Sequence, residues 1–333
     1  MICFSRVLSG CASGPVTAGR QMRITLKQLE YFVAAGDMGS IKLAATRINI
    51  SQPSISSAIS HLEQEFGVQL FVRHHAQGLA LTSAGKTMLR EAKLMLRQAQ
   101  GLYTMAGELN NEMRGRLSVG CMVTLAPMIA PELAHAFSER HPGVTLNMTD
   151  GSHQDLLDKL RQVEIDVAIS YDLQIPADIQ FEPLASLPPY VLVSRSHRLA
   201  RQPTVELSEL ASEPMVILDL PQSREYFVSL FESKGLEPMI VARAANQEVV
   251  RTMVANNYGF TISNVRPRNP AALDGRKLVP VKLAGDHKPM RIGISTLAQE
   301  RKPMILTVFE QHCRDLITDT SIPGMTRGGQ DGT

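Results

Sequence analysis

The chain has 333 residues, of which 44% are hydrophobic and 20% charged, and its formal net charge is +2. This length suits two or three domains, and the balance of residue types is that of a soluble globular protein rather than a disordered one. No apolar run reaches the ~18 residues of a membrane span. The four cysteines form neither a CxxC pair nor a cluster with histidines, which predicts free thiols in the cytoplasm and no metal site.

Residues 1–21 precede the first predicted helix and differ from it in character. They contain a short apolar stretch that Ser5, Arg6 and Ser9 interrupt, followed by small residues. A secretory signal needs a longer continuous apolar stretch. We therefore favour a disordered extension, or a start codon assigned upstream of a true start at Met22, over a targeting peptide.

Residues 22–82 predict three short helices followed by a β-hairpin. Apolar residues recur at helical spacing in each helix, and Thr25, Ser40 and Ser51 stand where N-caps are expected. The tip of the hairpin lies at His74–Gly78. This order of elements is typical of a winged helix-turn-helix, whose third helix enters the major groove of DNA.

The exposed face of the third helix carries short hydrogen-bonding side chains, which suit base edges and phosphates. Gln52 can offer a bidentate amide to adenine, and the backbone amides after Ser51 can hold a phosphate. Arg73, at the start of the hairpin, is placed to reach the minor groove or the DNA backbone. The predicted DNA-binding residues are Ser40, Lys42, Ser51, Gln52, Pro53, Ser54, Ser56, Ser57, Ser60, Arg73 and His74.

Residues 83–114 predict one long helix and a hinge that leads out of it. The segment contains no proline, and Met88, Ala92, Met95 and Leu102 recur at helical spacing. A helix of about 28 residues extends roughly 40 Å, which is too long for one small domain to cover. The apolar stripe therefore predicts pairing with a second copy of the chain.

Residues 115–318 alternate between short buried strands and amphipathic helices. This alternation predicts an α/β domain with a parallel sheet. We assign a first lobe to 117–183 and 288–318 and a second lobe to 184–287. From Asp319 the composition becomes polar and glycine-rich, which predicts a disordered tail over 319–333.

Specific residues of the N-terminal segment resemble a known family. Leu26, Leu29 and Phe32 lead into Ser40 and the pair Ala44-Ala45, and then come Ser51-Gln52-Pro53-Ser54-Ile55-Ser56, Leu70-Phe71, Arg73 and Leu81-Thr82 with Ala84-Gly85. In order and spacing, this resembles the DNA-binding signature of LysR-type transcriptional regulators. The remainder resembles the effector domain of that family, a two-lobed fold shared with type 2 periplasmic solute-binding proteins. The resemblance covers residues from Met22 to Thr318.

The resemblance implies promoter DNA, RNA polymerase and a small effector as partners. It also implies homodimers through the long helix, which commonly assemble as homotetramers. One departure concerns the third helix, which has Ser57 and Ser60-His61 where many members carry arginine. Direct reading of guanine by this helix is therefore in doubt, and specificity is expected to depend on Gln52, the serines and DNA shape.

Ligands of such two-lobed folds bind at the carboxyl ends of strands and the amino ends of helices. The predicted effector contacts are Thr124, Ser152, Tyr171, Asp219, Gln222, Ser223, Asn246, Gln247, Ser263 and Asn264. Hydroxyls and amides suit a carboxylate, and Asp219 suits an amine, so the set admits an amino-acid-like effector. The alternatives are that Ser152 and Thr124 only cap helices and that Tyr171 and Asp219 are solvated loop residues.

Other functions have weaker support in the sequence. It offers no Ser/His/Asp order, paired carboxylates or phosphate-binding glycine loop, so we predict no enzyme and no cofactor. Cys121 is expected to be a buried, inert thiol rather than an oxidant sensor. A solute-binding protein using the two lobes alone is the alternative to a ligand-responsive regulator, but it requires export and leaves the helix-turn-helix unexplained.

Overall fold

The computed structural model describes residues 23–74, 78–108, 113–298 and 302–325. The predicted extension at 1–21 lies outside the described residues. The chain divides into two compact units, Met1–Leu96 and Arg97–Thr333, which we treat separately. Among the described helices, none is both long enough and apolar enough to cross a membrane.

The first unit contains the predicted helices and hairpin. The elements are α1 (Leu26–Met38), α2 (Ile41–Ile48), α3 (Gln52–Phe66), β1 (Phe71–His74), β2 (Gly78–Leu81) and the beginning of α4 (Ser83–Glu108). The three predicted N-caps are confirmed, because Thr25, Ser40 and Ser51 each accept a hydrogen bond from the backbone N–H three residues later, at 3.2–3.3 Å. These caps satisfy helix N–H groups that have no partner within the helix.

Aromatic and aliphatic side chains form the core of the helix-turn-helix. Phe32 is fully buried and meets Phe71 edge-to-face, with ring centroids 5.6 Å apart. The Glu63 carboxylate accepts hydrogen bonds from the backbone N–H groups of Leu70 (2.8 Å) and Phe71 (3.3 Å). The end of α3 is thereby tied to the start of the hairpin, which sets the position of the wing beside the third helix.

The long helix α4 has two parts with different surroundings. In the first part, Ala92 is buried in the helix-turn-helix core and Lys93 forms an ion pair with Asp37 at 2.8 Å. Further along, Met95 and Leu102 remain 41% and 65% exposed. The small domain therefore covers more of the stripe than the sequence led us to expect, and only the later part remains available for a partner.

The second unit is an α/β structure with two lobes. In chain order its elements are β3 (Gly115–Met122), α5 (Ala126–Arg140), β4 (Val144–Gly151), α6 (His153–Arg161), β5 (Val167–Tyr171), β6 (Ile179–Leu187), β7 (Tyr190–Ser194), a short 3₁₀ helix (Arg198–Arg201), β8 (Thr204–Val205), α7 (Leu207–Leu210), β9 (Pro214–Leu218), α8 (Pro221–Glu232), β10 (Met239–Ala244), α9 (Gln247–Ala255), β11 (Thr261–Ser263), β12 (Leu278–Leu283), β13 (Met290–Leu297) and α10 (Met304–Leu316).

The sheet of the first lobe has the strand order β4-β3-β5-β13-β6. Strands β4, β3 and β5 are parallel, as predicted, but β13 is antiparallel to both β5 and β6. The predicted parallel arrangement therefore holds for three strands, and β13 makes the sheet mixed. The reason is the path of the chain, since β13 enters the first lobe from the second lobe rather than through a β-α-β connection.

The second lobe contains a four-stranded sheet, β11-β7-β12-β8, and the parallel pair β9 and β10. The chain enters this lobe after β6, which runs to Leu187 within the sheet of the first lobe. The first crossover therefore lies at 188–189 rather than at the predicted 183. Strand β6 was not predicted from the sequence, because Glu182 and Pro183 interrupt its apolar pattern.

The residues after α10 do not form the predicted disordered tail, at least as far as Met325. The Asp319 carboxylate accepts a hydrogen bond from the Ser186 backbone N–H at 2.7 Å, and Met325 is buried and forms a bridge with Pro267. The polar, glycine-rich composition of this segment gave no indication that Asp319 and Met325 would contact the rest of the unit. Residues 326–333 lie outside the described part of the chain.

His312 is expected to make the stability of this unit dependent on pH. It is 3% exposed, its ring lies edge-to-face with Phe137 at 5.3 Å, and its Nε2–H donates to the Leu133 carbonyl at 3.1 Å. Burial lowers the pKa of His312, whereas an unfolded histidine titrates near pH ~6.5. Stability should therefore be complete above about pH 6.5, and should fall as the pH drops from there toward the lower pKa of the folded state.

Urea denaturation at pH 7.5, 6.5 and 5.5 tests this expectation. His312→Gln should lose less stability on acidification than the wild type, although His153 will leave part of the effect, because burial lowers its pKa too. His135→Gln is the control, since His135 is exposed on α5. Identical pH dependence in His312→Gln and the wild type would contradict the assignment.

Candidate functional site

A narrow cleft lies between the two lobes of the second unit. Its atom-free space, open mouth included, is about 450 Å³. Six of the ten predicted effector contacts line it: Thr124, Tyr171, Ser223, Gln247, Ser263 and Asn264. The other lining residues are Leu192, Leu218, Phe227, Val250, Arg251, Thr261, Ile262, Val265 and Met290. The exposed surface of the walls is mainly apolar, although eight of these fifteen residues have polar side chains.

On the side of the first lobe, two hydroxyl groups meet at the ends of parallel strands. Thr124 follows β3 and Tyr171 ends β5, and the two hydroxyl oxygens are 2.9 Å apart and buried. Burial raises the pKa of Tyr171, so its phenol remains neutral and able to donate a hydrogen bond. Helix α5 has no side-chain cap, so the alternative that Thr124 serves only as a cap does not apply.

Arg251 is a cleft residue that sequence reasoning missed. It is 4% exposed, and its Nη2 donates to the backbone carbonyls of Asn269 at 3.2 Å and Ala271 at 3.0 Å. Its Nε lies 3.3 Å from a carboxylate oxygen of Glu248. A signal was present, because Arg251 follows the predicted contact Gln247 by one helical turn and so shares its face of α9.

Four predicted effector contacts lie outside the cleft. Ser152 and Asp155 form a capping box on α6, and Asn246 caps α9 through the Glu248 N–H at 2.8 Å. Gln222 lies in the first turn of α8 but does not line the cleft. Asp219 forms an ion pair with Arg224 at 2.6 Å. Because Asp219 does not line the cleft, there is no reason to expect an amine of the ligand beside it.

In the first unit, the predicted DNA-binding residues divide into two groups. Lys42, Ser51, Gln52, Pro53, Ser54, Ser57 and Ser60 are exposed, whereas Ser40 and Ser56 are half-buried. Ser56 and Ser60 also line a groove between α3 and the hairpin, whereas Gln52 does not. The side chains of Arg73 and His74 lie outside the described residues.

Some of these groups already have partners within the protein. The Ser51 and Ser54 hydroxyls are 2.8 Å apart, and Ser51 also caps α3. Gln28 on α1 donates to His61 Nδ1 at 3.2 Å, which holds that ring toward α1. Gln52 is the longest polar side chain at the exposed start of α3, where it occupies the first position of the helix.

Comparison with known proteins agrees with both units. The protein-family model described as "Bacterial regulatory helix-turn-helix protein, lysR family" matches residues 26–86. The family model described as "LysR substrate binding domain" matches residues 110–317. The chain belongs to the LysR family of transcriptional regulators. It is therefore a DNA-binding regulator with a substrate-binding domain, and the resemblance seen in the sequence is confirmed.

Individual relatives match over most of the chain. The HTH-type transcriptional regulator CysB of Haemophilus influenzae is 30% identical over 71% of this chain and 74% of its own length. The regulator BsdA of Bacillus subtilis is 26% identical over 85% of this chain and 92% of its own length. The crystal structure of HinK, a LysR family regulator from Pseudomonas aeruginosa, is 36% identical with a TM-score of 0.60, covering 89% of this chain and 99% of that one. All three of these relatives are transcription regulators.

Proposed function

We propose that this LysR-type regulator senses a small carboxylate in the cleft between its lobes. The observation that carries the proposal is the buried Arg251 guanidinium in a cleft that also contains the hydroxyls of Thr124 and Tyr171. A guanidinium and neutral hydroxyls are all donors, and charged donors bind carboxylates strongly when water is excluded. The apolar walls favour a ligand whose remaining surface is small and largely nonpolar.

We further propose that the protein binds promoter DNA as a homodimer or homotetramer in the cytoplasm and acts on transcription with RNA polymerase. Met95 and Leu102 on α4 support self-association, because they are large apolar side chains left exposed on a long helix. Exposed polar groups at the start of α3 support major-groove binding.

A binding assay tests the proposal directly. The wild-type protein is titrated, at physiological salt, into the intergenic DNA between its own gene and a divergently transcribed neighbour, with and without a panel of small carboxylates. We expect the protein to bind this fragment more tightly than random DNA. At least one carboxylate should change the affinity of the protein for the fragment. Equal affinity for random DNA would contradict sequence-specific binding.

Variants of α3 test the face assigned to DNA. Gln52→Ala should reduce specific binding more than Ser56→Ala or Ser60→Ala, because a well-placed bidentate amide contact contributes about 1–3 kcal/mol, or roughly 5- to 150-fold in affinity, whereas both serines line the groove between α3 and the hairpin. Fluorescence anisotropy with specific and random DNA measures the effect, and binding to random DNA should change little. Equally small effects from all three variants would show that a different face enters the groove.

A further inference from the structure

Asn264 lies where the effector cleft meets both connections between the lobes. It follows β11, lines the cleft and is 5% exposed. Its Nδ2 donates to the Leu187 carbonyl at 2.7 Å and to the Tyr226 hydroxyl at 3.3 Å. Leu187 ends β6 immediately before the first crossover. Asn264 is therefore bonded to the segment by which the chain leaves the first lobe.

Tyr226 extends this network to the second crossover. Its hydroxyl donates to the Lys288 carbonyl at 2.8 Å, and Lys288 lies just before β13, where the chain returns to the first lobe. Burial raises the pKa of Tyr226 to about 12, so the hydroxyl keeps the proton that it donates. One amide in the cleft is thus linked directly to the first crossover, and to the second crossover through the Tyr226 hydroxyl.

The carbonyl oxygen of the Asn264 amide has different surroundings from its nitrogen. Its orientation is determined by Leu187, because a backbone carbonyl only accepts and the Nδ2 group must face it. The Oδ1 atom is buried, and among the described residues it has no hydrogen-bond partner. A buried acceptor without a donor is unfavourable, so this atom is a place where a ligand donor would gain a bond that the free protein lacks.

We propose that Asn264 selects effectors that carry a hydroxyl or ammonium group beside their carboxylate. This inference rests on the proposed carboxylate effector. The carboxylate lies toward Arg251 and the Thr124–Tyr171 hydroxyls, since an amide oxygen repels it, and the second group donates to Asn264 Oδ1. Because Asn264 Nδ2 holds the network to both crossovers, occupancy of the cleft acts on the hinge through the same side chain.

Calorimetry with the full-length protein and matched pairs of acids tests the selectivity. The probes are malate with succinate, 3-hydroxybutyrate with butyrate, and alanine with propionate. We expect the donor-bearing member of at least one pair to bind about 10-fold more tightly or better, as one added hydrogen bond allows. In Asn264→Leu this advantage should fall below about 2-fold.

Two results would overturn the proposal: donor-free acids that bind as tightly as their partners, or an advantage that persists in Asn264→Leu. Asn264→Asp is the second variant: it keeps the acceptor and the side-chain size but loses the bond to Leu187, so urea denaturation is used to check that it folds. The aspartate should weaken the binding of all the acids, because its negative charge repels their carboxylates. The loss should be smaller for alanine than for the hydroxy acids, because the ammonium group of alanine is attracted to the aspartate. An unchanged order of preference in Asn264→Asp would also overturn the proposal.

Tyr226→Phe tests the link to the hinge, because it removes only the hydroxyl. Effector affinity should change by less than about 3-fold, whereas the effector-induced change in DNA affinity should become smaller. An unchanged response of DNA binding would refute the link. If Arg251→Met abolishes carboxylate binding while Asn264→Leu alters nothing, the effector proposal stands and the role of Asn264 fails. If no acid binds to the wild type, both fail.

Discussion

Arg251→Met is expected to lower the affinity of the cleft for carboxylates by about 10- to 100-fold, since a hydrogen bond to a charged group contributes about 1.5–3 kcal/mol. The variant should also be less stable, because the Asn269 and Ala271 carbonyls lose the donor that now serves them. Calorimetry with the acids that bind to the wild type measures the first effect, and urea denaturation measures the second.

Two control variants separate charge from geometry. Arg251→Lys keeps the positive charge, but a lysine ammonium cannot reproduce the planar array of guanidinium donors, so we expect an intermediate loss of affinity. Arg243→Met removes an exposed arginine of the same lobe that does not line the cleft, and it should leave affinity unchanged. Wild-type affinity in Arg251→Met would show that the guanidinium supports only the loop and not the ligand.

Gly259→Ala is expected to destabilise the second unit by about 3 kcal/mol or more, which combines backbone strain with a steric clash. Gly259 has φ +138°, and an added Cβ would lie 1.9 Å from the Pro214 carbonyl oxygen. That carbonyl accepts a hydrogen bond from the Phe260 N–H at 2.9 Å, so it cannot move away without losing this bond. Urea denaturation of the second unit measures the effect.

Gly235→Ala is the matched control for this substitution. Gly235 also has a positive φ of +67°, but a Cβ there would have no atom within 4 Å. It should cost only about 1–2 kcal/mol, the strain of a left-handed residue without a clash. Similar destabilisation by both substitutions would show that the close approach to Pro214 is relieved by a small shift of the backbone.

Local rules explain which parts of this structure were predictable. An N-cap acts over three residues and a helical stripe over one or two turns, so Thr25, Ser40 and Ser51 could be recognised as caps from their neighbours alone. Thr124 and Tyr171 were predictable for a related reason, since the carboxyl ends of parallel strands lie at one edge of a sheet. Their position in the cleft follows from strand order rather than from any distant contact.

The same local rules could not say which polar groups have partners already. Ser152, Asp219 and Asn246 stand at favourable strand and helix ends, but their oxygens are occupied by Asp155, Arg224 and the first turn of α9. A capping residue and a ligand contact have the same sequence signature. Only the observed hydrogen bonds distinguish them.

Residue patterns alone identified the family, the helix-turn-helix with its caps, and the two strand-end hydroxyls of the cleft. Long-range packing set the course of β6, the position of residues 319–325, the entry of Arg251 into the cleft and the link from Asn264 to the two crossovers. The physical reason is distance along the chain. Asn264 meets Leu187 across 77 residues, and such a contact depends on how the lobes close rather than on the preferences of neighbouring residues.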